Sequence, residues 1–568
     1  HELNRNTEVL LGVLKKIRRK RKDLRIIVCS ATIDAEAFLD FFIPKKIRKE
    51  APVVGTPPMQ DLRHEKNKRK RWGRVDEAGA AKDDDTGKKQ GGGINIENHG
   101  TIISIDGRQH PVDILYAEKP VADYVKATVD LALRIHIEKS YDDGDILCFL
   151  ATGEEVDRSI YLADELLPSL ASNKHQKQVA LLPLYGTLPH HVQSRVFRPK
   201  NGSDLNKRRI IFATNIAETS VTVPHISYVI DSGYVKMPFF HIQTGFERLI
   251  ICPISRASAK QRAGRSGRIK SGQCYRLYTE KHMIETMATN TPPEIHRTNL
   301  APFILMLKVL GIHNILSFDL MNAPSVPALC QGLESLFALG AIDEDTNLTK
   351  LGERMSEFPT EPRVSRMLLE SLNVGCSKEV LKVASALQVR SLFHIPRNPK
   401  HLSDYYSMMG DVMDSTSDHV TFANLMDMNE TTPLDDQECK DRFINRMALR
   451  RACEVNKQLT RFLKKYGTIK GMDDGQSDEE VSASVRKCIT AGFFSNVAKL
   501  GKDGRYYSLK GNHMISISTS SILHRFGMGN EYITFSETYD GSKGGIEVRC
   551  VSVIEGKWLN ELAPHYFE

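Results

Sequence analysis

The sequence has few cysteines, and their spacing matches neither a disulfide framework nor a metal site. Its ten cysteines occur singly between Cys29 and Cys550, with no CxxC pair and no Cys/His cluster at zinc-ligand spacing. This pattern argues against a disulfide framework and a metal site, and favours a reduced intracellular compartment. The longest apolar runs are far shorter than the roughly 18 residues that a membrane span requires, and no signal peptide is recognisable. We therefore expect a soluble protein without membrane partners.

Length and charge set broad limits on the protein. A chain of 568 residues is too long for one core and predicts roughly four domains at about 150 residues each. The hydrophobic content of 41% is sufficient for folding. A net charge of +8 favours polyanionic partners such as nucleic acid, but it is modest for this length and does not identify a function.

Four apolar runs in the first half end abruptly at small or polar residues. They are Leu24–Thr32, Gly144–Glu155, Arg208–Ser220 and Ile226–Gly233. Continuous apolar runs separated by helical patterns predict parallel strands that are buried on both faces. Ligands of such sheets bind beyond the carboxyl ends of the strands, where these polar residues lie. The alternative is that the Ser, Thr and Asn residues only cap the following helices.

The composition and the hydrophobic pattern of the sequence change three times along the chain. Residues 61–100 contain almost no aliphatic side chains, which predicts a disordered insertion. The basic half of this insertion, Arg63–Arg74, fits a nuclear import signal, a weak nucleic-acid patch or a solvated loop. Amphipathic helices follow Tyr278, and short strand-like runs beyond Cys488 predict a small β-barrel.

The segment QRAGRSGR, residues 261–268, concentrates one carboxamide and three guanidinium groups. A helix here would place Gln261, Arg265 and Arg268 on one face. Guanidinium groups bind phosphate oxygens bidentately and stay charged at physiological pH, so this face could hold a triphosphate. Gly264 and Gly267 would permit close approach to a backbone or a nucleotide. The alternative is a solvated basic helix.

Three motifs occur in a characteristic order. SAT at residues 30–32, TNIAETS at residues 214–220 and QRAGRSGR resemble motifs three, five and six of superfamily-two helicases, specifically the DEAH-box branch. His1 and Glu2 resemble the end of the DEAH box. PLYGTLPHHVQSRVF, LTKLGERMSEFP and WLNELAPHYFE are further similar stretches, and the overall resemblance is greatest to spliceosome-associated RNA helicases of this family.

The resemblance implies a multidomain fold of α/β, α and β parts. The expected domains are the C-terminal part of a first RecA-like domain with the insertion, a complete second RecA-like domain, a winged helix, a helical ratchet domain and an OB-fold. Their expected ranges are 1–118, 119–278, 279–345, 346–470 and 471–568.

The resemblance also implies roles for individual residues around ATP. Gln261 would order the attacking water, and Arg265 and Arg268 would contact the γ-phosphate. His1 would pair with the Gln261 region across the cleft between the two RecA-like domains. Ser30 and Thr32 would couple hydrolysis to domain movement. The expected nucleotide-binding residues are Phe197, Thr219, Asp231 and Gly264. Phe197 could equally be a core residue.

Other residues are expected to face RNA. Thr152, Thr214 and Asn215 carry short polar side chains that suit phosphate contacts without base reading. The segment Gly233–Pro253 resembles the strand-separating β-hairpin of the family, with an apolar tip that could wedge against a duplex end. Two ordinary core strands are the alternative.

Two family elements are missing from the sequence. No GxxxxGK[ST] loop occurs in the 568 residues, and the Asp and Glu of the DEAH box are absent. The chain alone is therefore not expected to hydrolyse ATP, and a truncated record of a complete helicase is the simplest explanation. FLATGEE also departs from the family pattern, which makes Thr152 an uncertain RNA contact.

The sequence therefore predicts an ATP-dependent RNA helicase that translocates on single-stranded RNA. ATP and Mg²⁺ are the expected cofactors. RNA, a spliceosomal ribonucleoprotein and a glycine-patch activator are the expected partners, in the nucleus. A non-catalytic RNA-binding scaffold is the main alternative, but it would have no chemical use for Gln261, Arg265 and Arg268. A DNA helicase on the same motor is a third possibility.

Overall fold

A computed structural model describes most of the chain. The described residues are 3–21, 23–29, 35–43, 100–103, 110–139, 144–170, 178–186, 188, 190–198, 207–218, 223–242, 244–268, 270–389, 391–395, 399–471, 476–526, 529–540 and 545–567. Nearly all of the predicted insertion at 61–100 lies outside them. The chain forms two compact units, of which one contains residues 1–10 and 107–568 and the other residues 11–106.

The β-strands lie in the larger unit. In chain order they are Val112–Tyr116 (β1), Asp145–Phe149 (β2), Gln178–Leu184 (β3), Lys207–Ala213 (β4), Ile226–Asp231 (β5), Tyr234–His241 (β6), Phe246–Pro253 (β7), Gly272–Arg276 (β8), Val497–Leu500 (β9), Tyr506–Ser508 (β10), Met514–Ile517 (β11), Tyr532–Asp540 (β12) and Ile546–Ile554 (β13).

The helices account for most of the remaining described residues. They are Arg5–Lys20 (α1), Ala35–Phe42 (α2), Tyr124–Glu138 (α3), Gly153–Leu166 (α4), His190–Phe197 (α5), Arg256–Ala263 (α6), Glu280–Glu285 (α7), Ala301–Val309 (α8), Val326–Ala338 (α9), Lys350–Ser356 (α10), Pro362–Val374 (α11), Ser377–Leu387 (α12), Pro399–Met408 (α13), Asp418–Thr431 (α14), Asp436–Asp441 (α15), Arg446–Leu463 (α16), Asp478–Phe493 (α17), Ile522–Phe526 (α18), Gly556–Leu562 (α19) and Pro564–Phe567 (α20). No helix of the described residues is long and apolar enough to cross a bilayer.

The first half of the larger unit is a parallel sheet with helices on both faces. Its strand order is β1-β8-β5-β2-β4-β3, and all of its neighbouring strands pair in parallel. Along β2, Ile146 and Cys148 enter one apolar cluster, while Leu147 and Phe149 enter another. Because each face packs against helices, the apolar residues of β2 run continuously instead of alternating with polar ones. The predicted strands of β2, β4 and β5 are thereby confirmed.

Two features of this region differ from the sequence-based expectation. Strand β1 pairs with β8, so the boundary expected between residues 118 and 119 separates this strand from the sheet that it joins. Residues 24–29 of the predicted strand Leu24–Thr32 form no strand, and the Ile27 side chain is 86% exposed. A parallel strand needs a neighbour for its hydrogen bonds, and the described residues of 11–106 contain no strand at all.

The second half begins with helices α7 to α10, and the helices predicted after Tyr278 correspond to α8 to α12. An isolated bridge between Ile342 and Leu348 adds a short antiparallel element before α10. Helices α11 to α16 form a helical region, with an apolar core that includes Leu425 and Leu449. Strands β9 to β13 close into a barrel, which confirms the predicted β-barrel.

The junction of the helical region with the barrel is polar and fully buried. Asp418 at the start of α14 accepts hydrogen bonds from the Ser521 hydroxyl (2.6 Å) and from the backbone N–H groups of Ile522 and Val551 (2.8 Å each). The next residue, His419, has its ring nitrogens 2.7 Å and 3.1 Å from the hydroxyls of Ser552 and Ser536. These bonds satisfy groups that would otherwise be costly to bury.

Candidate functional site

Helix α6 carries the first part of the basic segment but ends earlier than predicted. Its last residue is Ala263, so Gln261 is helical, whereas Arg265 and Arg268 lie in the turns that follow. The prediction of one continuous helical face for these three residues is therefore wrong. The Ser266 hydroxyl donates to the carbonyl of Ala263 at 2.9 Å, which satisfies a carbonyl that the helix leaves open.

Gly267 allows this turn to pass close to strand β1. Its φ is +80°, in the left-handed region that favours glycine. A Cβ at this position would lie 2.5 Å from Cγ2 of Val112 and 3.1 Å from the carbonyl oxygen of His110. Close approach to another backbone, as expected for the glycines of this segment, is thus observed at Gly267. Gly264 is the C-cap of α6 and has an ordinary helical φ of −66°.

Arg262, the arginine of this segment for which no role was predicted, connects the elements of the site. The side chain is fully buried, with Nε 3.0 Å from Oε2 of Glu218 and Nη1 2.8 Å from Oδ1 of Asp231. Nη2 donates to the carbonyl of Tyr234 at 3.1 Å, and the guanidinium lies over the ring of Phe149. A single cation therefore joins the ends of β2 and β5, the start of β6 and the loop after β4.

The opposite charges of this buried cluster stabilise the ionised form of Arg262. Burial alone would lower the pKa of Arg262, but the charges of Asp231 and Glu218 outweigh burial and raise that pKa above its ordinary value. Oδ2 of Asp231 accepts from the Tyr278 hydroxyl at 2.9 Å. Burial and the neighbouring Asp231 charge raise the pKa of Tyr278, which keeps the phenol protonated as a donor. Both carboxylate oxygens of Asp231 thus bind protein groups, in a fully buried position.

Arg265 and Arg268 lie close to each other beside the loop that follows β4. Arg265 donates to the backbone carbonyl of Glu218, whose side chain binds Arg262. Burial and the positive charge of Arg268 lower the pKa of Arg265 to about 10, still well above physiological pH. Both guanidinium groups are half-buried. Two adjacent cations in a partly desolvated position would be stabilised by a polyanion.

The loop after β4 presents two of the expected RNA-facing residues. A short 3-10 helix, Asn215–Ala217, follows Thr214, whose side chain makes no capping bond. Asn215 is exposed and Thr214 half-buried, so both are accessible at the carboxyl edge of the sheet. Glu218 closes this turn, with its N–H 2.9 Å from the carbonyl of Asn215. Thr214 and Asn215 thus lie on the same loop as Glu218, which binds Arg262 and Arg265.

Thr152 and Phe197 occupy structural positions. The Thr152 hydroxyl accepts from the backbone N–H of Glu155 at 3.1 Å, and Glu155 accepts from the N–H of Thr152 at 3.3 Å, which is a complete capping box for α4. Phe197 ends α5 and is partly buried against one core cluster of the sheet. These contacts match the structural alternatives weighed for such residues. The expected site residues His1, Ser30, Thr32 and Thr219 lie outside the described residues.

The expected hairpin is present, and one side of its turn is anchored to the barrel. Strands β6 and β7 pair from Tyr234–Pro253 to His241–Phe246. Phe246 at the tip is buried in the barrel core, with its ring centroid 5.6 Å from that of Phe535. Phe246, the first residue of β7, therefore anchors the hairpin to the barrel. Ile242 in the turn and Phe239 on β6 are 37% and 43% exposed, and both are accessible apolar groups near the tip.

Comparison with known sequence families identifies four matched regions. Residues 125–270 match the helicase conserved C-terminal domain, and residues 332–360 match the winged-helix part of the helicase associated domain. Residues 361–422 match the ratchet-like part of that domain, and residues 485–566 match an oligonucleotide/oligosaccharide-binding OB-fold. The described sheet, helical region and barrel correspond to these matches.

Curated relatives align along the whole chain. The human "Probable ATP-dependent RNA helicase DHX35" is 37% identical over 574 residues, covering 100% of this chain and 72% of the relative. The Caenorhabditis elegans homologue of that protein is 37% identical over 570 residues, covering 69% of its own length. The "Pre-mRNA-splicing factor ATP-dependent RNA helicase prp22" of Schizosaccharomyces pombe is 34% identical over 569 residues, covering 100% of this chain and 42% of the relative.

Proposed function

Because the chain belongs to the family of DEAH-box ATP-dependent RNA helicases, we propose that it serves in a motor that couples ATP hydrolysis to movement along single-stranded RNA. The observation that supports this most directly is that Arg265 and Arg268 lie close together beside the loop that carries Thr214 and Asn215. One loop thereby borders both a cationic cluster suited to a polyphosphate and an exposed polar edge suited to RNA.

The described residues fit a triphosphate at the cationic cluster. Bound ATP would supply a phosphoanhydride whose hydrolysis releases the free energy for movement. Arg265 and Arg268 would place positive charge at the terminal phosphate, and Gln261 would orient the attacking water. Asp231 would act by positioning Arg262 rather than by touching the nucleotide. No group of three His, Cys, Asp or Glu among the described residues is arranged to hold a metal, so Mg²⁺ is proposed from family membership alone.

The exposed edge after β4 is proposed to hold the RNA backbone without reading bases. Asn215→Asp, which adds a negative charge at nearly constant size, should weaken binding of single-stranded RNA. Asn215→Ser is the neutral control and should bind nearly as the wild type does. Equal binding by all three proteins at low salt would place RNA elsewhere.

We also propose that the protein works on nuclear pre-mRNA ribonucleoprotein, as the name of the fission yeast relative indicates for that relative. A glycine-patch activator is the proposed regulatory partner. Leu310, Leu316 and Val326 are 55%, 73% and 57% exposed between the end of α8 and the start of α9, and they suit an apolar segment of such an activator. Leu316→Ser should abolish stimulation by a glycine-patch peptide. Ile137→Ser, an exposed residue of α3, is the control.

The proposed activity is tested by ATP turnover in the full-length protein, with and without single-stranded RNA, together with unwinding of a duplex with a single-stranded overhang. RNA-stimulated turnover and ATP-dependent unwinding would support the motor. RNA binding without any turnover would favour the non-catalytic scaffold instead.

A further inference from the structure

The first helical turn of α1 is fixed to the helical segment that precedes α8. Glu294 accepts from the backbone N–H of Arg5 at 3.2 Å and from its Nε at 3.0 Å. Nη1 of Arg5 donates to the carbonyl of Asn299 at 3.2 Å, and the N–H of Glu294 donates to the carbonyl of Leu3 at 3.3 Å. A carboxylate at a helix N-terminus satisfies an open N–H group and opposes the positive end of the dipole.

A second contact lies one turn later and holds the segment that precedes α9. Oε2 of Glu8 accepts from the backbone N–H groups of Met321 and Asn322 at 3.1 Å and 3.3 Å. Oε1 of Glu8 accepts from the side-chain amide of Asn322 at 2.6 Å. The Glu8 side chain has no exposed surface. Burial of a carboxylate on three donors is stabilising only while this geometry is kept, because each lost bond leaves a buried charge or N–H group unsatisfied.

The segment that contacts Arg5 and the segment that contacts Glu8 are also hydrogen-bonded to each other. A ring nitrogen of His296 lies 2.9 Å from the carbonyl oxygen of Ala323, next to Asn322. The side chain of Asn4 accepts from the N–H of Thr7 at 2.8 Å and caps the start of α1. Residues 4–8 are therefore hydrogen-bonded at two points to residues 294–322, which belong to the expected winged-helix region.

This turn lies directly after the residues that resemble the end of the DEAH box. Leu3 and Asn4 alone separate Arg5 from His1-Glu2, the residues that match the end of the DEAH box. We propose that Arg5 and Glu8 are positioning residues, through which the winged-helix region fixes the chain next to the DEAH box for ATP turnover. This inference rests on the proposed function. A movement of residues 294–322 would be transmitted to the DEAH segment through a single helical turn.

The test compares two substitutions of Glu8 in the full-length, ATP-hydrolysing protein. Glu8→Ala removes all three acceptor contacts and should lower kcat by about 10-fold to 100-fold, the scale of a misplacement near 1 Å. KM for ATP and the Kd for nucleotide-free RNA should stay within about twofold, because the groups that bind these ligands are untouched. Glu8→Gln should retain activity. Its Oε1 can accept both backbone N–H groups, while Asn322 can turn its amide oxygen toward the new donor.

A matched control separates positioning from general stability. Glu370→Ala also removes a part-buried carboxylate, from its ion pair with Arg366 within α11. It should leave kcat near the wild-type value. Should Glu8→Ala fold poorly, Asn322→Asp tests the contact from the other side by placing a second carboxylate against Glu8, with the same loss of kcat expected.

The outcomes are distinguishable. Wild-type turnover in Glu8→Ala, or a parallel decline of kcat, RNA binding and melting temperature in Glu8→Ala and Glu370→Ala, would overturn the positioning role. A wild-type protein without RNA-stimulated turnover would instead contradict the proposed function. In that case, faster amide exchange at residues 321 and 322 in Glu8→Ala would still support the contact, and unchanged exchange would refute it.

Discussion

Nη1 of Arg262 lies 2.8 Å from Oδ1 of Asp231, and neither side chain has any exposed surface. The same guanidinium also binds Glu218, so one buried cation bridges two carboxylates, one at the end of β5 and one in the loop after β4. Removal of one member of such a cluster leaves charges that water cannot reach. The position of Arg265 depends on this cluster, because Arg265 is bonded to the backbone of Glu218.

Arg262→Ala should therefore be strongly destabilising, by about 3–5 kcal/mol, because it leaves two buried carboxylates without their cation. The urea midpoint of the domain that contains residues 125–270 is the measurement. The double variant Arg262→Met with Asp231→Asn removes opposite charges together and should recover part of the loss. An Arg262→Ala protein as stable as the wild type would show that the cluster is not a structural centre.

Gly267→Ala should destabilise the turn that carries Arg265 and Arg268. The left-handed φ costs a side chain roughly 1–2 kcal/mol, and the contact of the new Cβ with Val112 adds to that cost. Gly375→Ala is the matched control, since its φ is +90° but no atom lies within 4 Å of the added Cβ. Thermal unfolding should show a larger loss for Gly267→Ala than for Gly375→Ala. Equal losses would mean that the close approach to β1 is not constraining.

The buried His419 predicts a specific pH dependence of stability. Burial lowers the pKa of His419 to about 3 in the folded protein, against an ordinary value near 6.5. The unfolded chain therefore binds the proton more readily, and stability is lost as the pH falls below about 6.5 toward 3. At pH 5 the loss is about 2 kcal/mol, at 1.36 kcal/mol per pKa unit.

His419→Gln is the test of this dependence, because glutamine can still bond to Ser552 and Ser536 but does not titrate. The difference in urea midpoint between wild type and variant should change between pH 6.5 and pH 5, with the wild type losing more. Burial raises the pKa of the adjacent Asp418 to about 6, so its ionisation acts in the opposite direction. Asp418 is present in both proteins, and its effect cancels in the difference. A pH-independent difference would contradict the assignment.

The sequence predicted those parts of the fold that depend on local pattern. The strands β2, β4 and β5 were recognisable because both of their faces are buried and their apolar residues run without interruption. The barrel strands and the amphipathic helices were equally visible. Strand β1 was assigned to the wrong side of a boundary because its partner β8 is distant in the sequence. Nothing local in residues 112–116 specifies that pairing.

The sequence drew attention to the arginine-rich segment but did not predict its geometry. The density of arginine in residues 261–268 indicated an anion site, yet the pattern suggested one continuous helix. The helix ends at Ala263, and Gly267 turns the chain where helical spacing would have continued. Arg262 was missed because its role depends on Asp231 and Glu218, which periodicity within its own helix does not reveal. Glu8 was missed for the same reason, since its three donors are more than 300 residues away.

The central claim is that Arg265 supplies positive charge to a nucleotide during hydrolysis. It is tested by RNA-stimulated ATP turnover of Arg265→Ala in the full-length protein, with Arg256→Ala at the start of α6 as the control. We expect Arg265→Ala to lose about 10³-fold or more in kcat and to keep nucleotide-free RNA binding, while Arg256→Ala stays nearly as active as the wild type. Normal hydrolysis by Arg265→Ala would contradict it.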